Sequence, residues 1–109
     1  MKDIVEFLSK KKIIFKELEK FDIKEIGSRK KIDIYLGIDT SSNYTLIVVM
    51  KRKSRFLQKD VEWLEEIFQK IVELKEHNFK KKIFIYDMPM CSKAQKKLKE
   101  ERWKLIKFA

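Results

Sequence analysis

Four cations fall within five residues at Lys51, Arg52, Lys53 and Arg55. They follow directly on Leu46-Ile47-Val48-Val49-Met50, an unbroken apolar run. A strand that ends in cations on both faces fixes positive charge at one point of a fold. Phosphate is the natural counter-charge, because each phosphate neutralised by Lys or Arg releases condensed counterions. Upstream, Asp33 lies in Lys31-Ile32-Asp33-Ile34-Tyr35. Side chains alternate along a strand, so Asp33 and Tyr35 share the face opposite Ile32, Ile34, Leu36 and Ile38. Taken alone, Asp33 is a strand-edge acid paired with a neighbouring lysine, and Lys51 and Lys53 are a solvated strand end.

Other chemistry finds less support. His77 is the only histidine, and its Lys-rich surroundings mark it as a surface residue. Cys91 precedes a helix, where a thiol can be activated, but no histidine lies near it to complete a nucleophilic site. There is no Gly-rich phosphate loop, no paired-cysteine zinc spacing and no serine nucleophile elbow. The run Lys80-Lys81-Lys82 adds to the basic surface.

The elements that must position these residues are legible from periodicity. From Lys2 to about Lys20 the apolar residues Ile4, Leu8, Phe15 and Leu18 recur at helical spacing, interrupted by Lys10-Lys11-Lys12. One bent helix or two short ones fit equally. Phe21 to Ile26 reads as a weak strand and Gly27-Ser28 as a turn. Lys31 to Ile38 and Tyr44 to Lys51 read as strands joined by a loop at 39–43, a segment of turn-forming composition. The second of these is apolar throughout, as a strand buried on both faces must be. Leu57 to about His77 is an amphipathic helix with the stripe Leu57, Val61, Leu64, Phe68, Ile71 and Leu74. Asp60, Glu62, Glu65 and Glu66 crowd its early turns, where the helix dipole favours acids. Lys82 to Tyr86 is a buried strand. Ser92 caps a helix to about Glu101, and Trp103 to Phe108 is a final edge strand. Strand–helix–strand steps imply crossovers, hence an α/β (α+β) fold with a mixed sheet flanked by helices.

This order and these residues resemble the PD-(D/E)XK, or restriction-endonuclease-like, nuclease superfamily. The resemblance covers nearly the whole chain. Asp33 matches the acid on the family's second core strand, and Lys51 matches the lysine of its acid-x-lysine signature. The resemblance implies two carboxylates that hold Mg²⁺, which activates a water and stabilises charge on the phosphate. Asp33 would be a metal ligand, Lys51 would assist at the phosphate, and Arg52, Lys53 and Arg55 would grip the backbone. The chain departs from the pattern at the second acid. Two residues before Lys51 stands Val49, and two before Lys53 stands Lys51. Some members carry that acid on the following helix, so Asp60, Glu62, Glu65 or Glu66 could replace it, with Glu6, Glu17 or Glu25 as further ligands. The missing acid leaves open an enzyme with a migrated carboxylate or a binding domain without catalysis.

Composition sets the remaining expectations. The chain has 109 residues, the size of one domain spanning 1–109. Its formal net charge of +10 favours polyanions, nucleic acid among them, and the resemblance points to DNA. A Lys- and Ile-rich composition would by itself also yield many solvated lysines. One cysteine permits no internal disulfide, which fits a reducing, cytoplasmic compartment. The N-terminus lacks the apolar core of a signal peptide, and no run approaches the roughly 20 apolar residues that span a bilayer. The resemblance also allows a homodimer, since many nucleases of that fold pair so that a small domain reaches both strands of a duplex.

Overall fold

The computed structural model describes residues 2–27, 32–76 and 79–108, with residues 2–5 and 26 described by backbone alone. His77, Ser28 of the expected turn and Lys31 of the expected strand lie outside the described residues, as does the side chain of Ile4. The elements run α1 (Lys2–Lys10), β1 (Phe15–Phe21), a 3₁₀ turn (Ile23–Ile26), β2 (Asp33–Asp39), β3 (Tyr44–Lys51), α2 (Gln58–Lys75), β4 (Lys81–Asp87), α3 (Ser92–Glu100) and β5 (Trp103–Lys107). The five strands form one sheet in the order β1-β2-β3-β4-β5. β1, β2 and β3 are an antiparallel meander, and β3, β4 and β5 are parallel. Helices α2 and α3 make the parallel crossovers. This is the expected mixed sheet flanked by helices, in the expected element order.

The pleat divides the core into two layers. Leu46, Val48 and Met50 of β3 pack with Val61, Leu64, Ile67, Phe68 and Ile71 of α2 and with Ala94 and Leu98 of α3. Ile47 and Val49 face the other way and pack with Leu8 of α1, Tyr35, Ile83, Ile85 and Ile106. β3 is thus buried on both faces, which accounts for its unbroken apolar run. The α2 stripe is buried in its middle, while Leu57 and Leu74 at its ends are exposed.

The N-terminal region differs from the sequence expectation. The helix ends at Lys10, the chain turns through Lys12 at φ 61, and Phe15–Phe21 is a strand. The helical spacing of Phe15 and Leu18 has a specific origin. Phe15 pairs with Asp39 and Glu17 with Ile38, so β1 carries a bulge there. One extra residue lets Phe15 and Leu18 share a face at a separation of three rather than two. Both pack into the α1-side core. Phe21–Ile26, expected as a strand, becomes a 3₁₀ turn beyond Phe21. Asp22 caps it by accepting from the Lys24 amide, and Gly27 at φ 74 closes it.

The β2–β3 loop is held by Asp39, whose Oδ1 accepts from the amides of Ser41 and Asn43, each at 2.9 Å. Helix α3 is capped by Cys91 rather than Ser92: its Sγ accepts from the Ala94 amide at 3.3 Å. No helix among the described residues is long and apolar enough to cross a membrane.

Candidate nucleic-acid interface

Asp33 opens β2 directly opposite Val49 of β3. Cross-strand partners project on the same side, so Asp33, Val49 and, two residues on, Lys51 all face the α1 side of the sheet. Asp33 is half-exposed and pairs with Lys20 on β1, 3.3 Å away. An ion pair so open to water contributes little to stability. Tyr35 follows on the same face. Burial pushes its phenol pKa above the ordinary value, the Asp33 carboxylate adds to this, and Lys20 opposes it.

Lys51 stands at the carboxyl end of β3, with its Nζ 3.8 Å from the ring centroid of Phe108. Phe108 stacks on Phe7 of α1, with ring centroids 4.7 Å apart. The ammonium therefore rests on an aromatic surface, an attraction of about 0.5–1 kcal/mol at an exposed site. Lys53 and Arg55 are exposed beyond it.

Arg52 takes a different part from its neighbours. Its Nη2 donates to Asp60 Oδ2 at 2.6 Å and to the carbonyl of Arg55 at 3.0 Å, and its Nε donates to the carbonyl of Ser54 at 3.3 Å. Asp60 in turn accepts from the Leu57 amide at 2.8 Å, at the start of α2. Arg52 thus ties the β3–α2 connection into one shape, and that connection presents Lys53 and Arg55.

The acids considered as substitutes for Val49 are dispersed. Asp60, Glu62, Glu65 and Glu66 belong to α2, which covers the opposite face of the sheet from Asp33. Asp60 is bound to Arg52, Glu62 lies 3.4 Å from Lys97, and Glu65 accepts from Trp103 Nε1 at 2.6 Å. Glu17 pairs with Ile38 at the far end of the β1–β2 ladder, and Glu25 sits in the 3₁₀ turn. Glu6 is exposed on α1, the helix on Asp33's side.

One carboxylate just beyond the strand expected over Lys82 to Tyr86 is well placed. Asp87 ends β4 beside Lys51, in parallel register, and shares its face. The available signal was its position at the carboxyl end of a parallel strand, where α/β sheets gather their ligands. Asp33 and Asp87 are nevertheless separated by β3. Two strand spacings put them roughly 10 Å apart across the sheet, too far for one small ion held at about 2.1 Å from each ligand. No group of three or more His, Cys, Asp or Glu among the described residues could hold a metal. The described residues do not fit a Mg²⁺ centre.

No family model matches the chain, and no curated protein matches its sequence significantly. Solved structures do match. EndoMS in its apo form superposes with a TM-score of 0.61 at 19% identity, over 98% of this chain and 45% of that one. A repair endonuclease from Pyrococcus abyssi gives 0.56 at 14% identity, over 99% of this chain and 45% of its own. EndoMS in complex with double-stranded DNA gives 0.56 at 19% identity, over 98% and 43%. The chain spans less than half the length of each. At these identities the likeness is one of fold, and the fold is nuclease-like.

Proposed function

We propose that this chain is a DNA-binding domain with a nuclease fold and an incomplete metal site of its own. The observation that carries the reading is Val49, an apolar residue directly opposite Asp33, where the resembled family has its second carboxylate. The similar structures support DNA as the partner: two are EndoMS, one of them with duplex DNA, and another is a repair endonuclease. Lys51, Lys53 and Arg55 contact backbone phosphates, and Arg52 holds the segment that carries them. Phosphate contacts of this kind position a protein on DNA and carry no sequence information themselves.

A second reading is Mg²⁺-dependent cleavage, with Asp33 on the metal and Lys51 at the phosphate. Asp87, on the same face as both, favours it, but it would have to close a gap of two strand spacings.

Incubation of the protein with labelled duplex DNA in Mg²⁺, Mn²⁺ or EDTA separates the two. The expected result is a retarded complex in all three, with the DNA intact. Cleavage that needs the metal and disappears in Asp33→Ala would establish the second reading and overturn the first.

A further inference from the structure

The same face of the sheet carries a second basic feature at its other end. A cleft of about 520 Å³ opens there beside Thr45 of β3, and Lys12, Lys80, Lys81, Arg102 and Lys104 line it. Thr45 and Lys51 are six residues apart on one strand, or roughly 20 Å at about 3.3 Å per residue. The cleft is therefore separate from Asp33 and Lys51.

Three properties distinguish it from a merely solvated basic surface. The first is charge without compensation. Asp39 is the single acid among the described lining residues, and it is already held by Lys81 at 2.8 Å. Lys12, Lys80, Arg102 and Lys104 have no acid partner among the described residues. Cations so gathered repel one another until an anion joins them. The second is backbone. Lys12 at φ 61 and Arg102 at φ 66 both adopt the left-handed conformation, which glycine would hold at lower cost. The two turns, α1 to β1 and α3 to β5, thus bring cationic side chains to the rim where neutral glycine is the easier choice. The third is Thr45, which is fully buried on the cleft side, with an Oγ1 that has no hydrogen-bond partner. A buried hydroxyl without a partner is costly.

We infer that this cleft binds a phosphate-bearing group of a nucleotide. Four cations with no acid partner among the described residues match two or more negative charges held close together, and the Thr45 hydroxyl supplies a neutral donor at the cleft wall. The volume lies in the range of small-ligand sites, about 300–1,000 Å³. A free nucleoside polyphosphate and the 5′-phosphate end of a nucleic-acid strand offer the same chemistry.

Titration with pyrophosphate, with ATP, and with matched short oligonucleotides bearing a 5′-phosphate or a 5′-hydroxyl tests the assignment, read by amide chemical shifts. With pyrophosphate, saturable shifts at Ile13, Thr45, Lys81 and Lys104, and none at Asp33, Lys51 or Asp87, are expected. Preference for the phosphorylated oligonucleotide names a strand end as the source, and tighter binding of ATP names a free nucleotide. The variant Lys12→Gly/Arg102→Gly removes two cations while easing the backbone, so it keeps the fold. Its affinity falls about tenfold or more, as expected for lost charge-assisted hydrogen bonds. Thr45→Val weakens binding without lowering the melting temperature, whereas Lys96→Ala, an exposed position on α3 outside the cleft, leaves it unchanged. Absence of saturable shifts at these amides, or unaltered affinity in Lys12→Gly/Arg102→Gly, would overturn the inference.

Discussion

Asp33 and Val49 face each other across an antiparallel pair, close enough for two carboxylates to share an ion if both positions carried one. Val49 instead joins the apolar layer with Ile47 and Ile85 and is nearly inaccessible to water. Its replacement therefore reports on the site. Val49→Glu buries a charge beside Asp33 and is expected to cost about 3 kcal/mol in stability. Because it also completes a carboxylate pair, millimolar Mn²⁺ should restore part of the loss by binding the folded state alone. Thermal unfolding with and without the metal measures both effects. A melting temperature indifferent to Mn²⁺ would show that Asp33 and residue 49 do not have metal-site geometry. The sequence disclosed Asp33, Lys51 and the gap at Val49, because strand alternation and two-residue spacing are local properties. It could not disclose that Arg52 turns back onto Asp60, or that Asp87 stands beside Lys51. Both depend on how the strand ends are brought together.

Among the elements, β2 was legible because Ile34, Leu36 and Ile38 alternate along it, β3 because its apolar run is unbroken, and α2 because its stripe persists over several turns. β1 was not, since its bulge reproduces the spacing of a helix. The bulge also explains Gly37, which pairs with Leu18 where Phe15 folds over the sheet. A Cβ at Gly37 would lie 2.8 Å from Phe15 Cδ1 and 3.2 Å from Leu18 Cδ1. Gly37→Ala is expected to destabilise the protein by about 1–3 kcal/mol through overpacking. Phe15→Ala in the same chain should recover part of that loss, and chemical denaturation of the single and double variants measures the recovery. The β2–β3 loop depends on ionisation. Hydrogen bonding from Lys81, then from the Asn43 amide, lowers the Asp39 pKa from 3.8 to about 2, with the Ser41 amide assisting. A carboxyl whose pKa is depressed by folding stabilises the protein above its unfolded value and loses that contribution as pH falls through the folded one. Stability should therefore decline between about pH 4 and pH 2, and Asp39→Asn should flatten that part of the profile. A variant profile as steep as the wild type's would assign the decline to other carboxylates.

At the scale of the molecule, the charge of +10 is not evenly meaningful. Several lysines are consumed in local pairs, such as Lys20 with Asp33, Lys97 with Glu62 and Lys82 with Glu65. Among the rest, two groups stand at opposite ends of the parallel strands: Lys51, Lys53 and Arg55 at the carboxyl ends, and the cleft cations at the amino ends. Net charge was readable from composition, but this partition needed the fold, because residues far apart in sequence form each end. This chain spans less than half the length of each of the similar nuclease structures.

The central claim is that the carboxyl-end cations grip DNA phosphates, and salt dependence tests it most directly. Affinity for a duplex is measured across a salt series for the wild type and for Lys53→Ala/Arg55→Ala. Each phosphate contact contributes about 0.9 to the slope of log affinity against log salt. The account predicts a steep wild-type slope that becomes shallower by about 1.8 in the double variant. An identical slope in the two proteins would mean that these residues do not touch the backbone and that the DNA surface lies elsewhere.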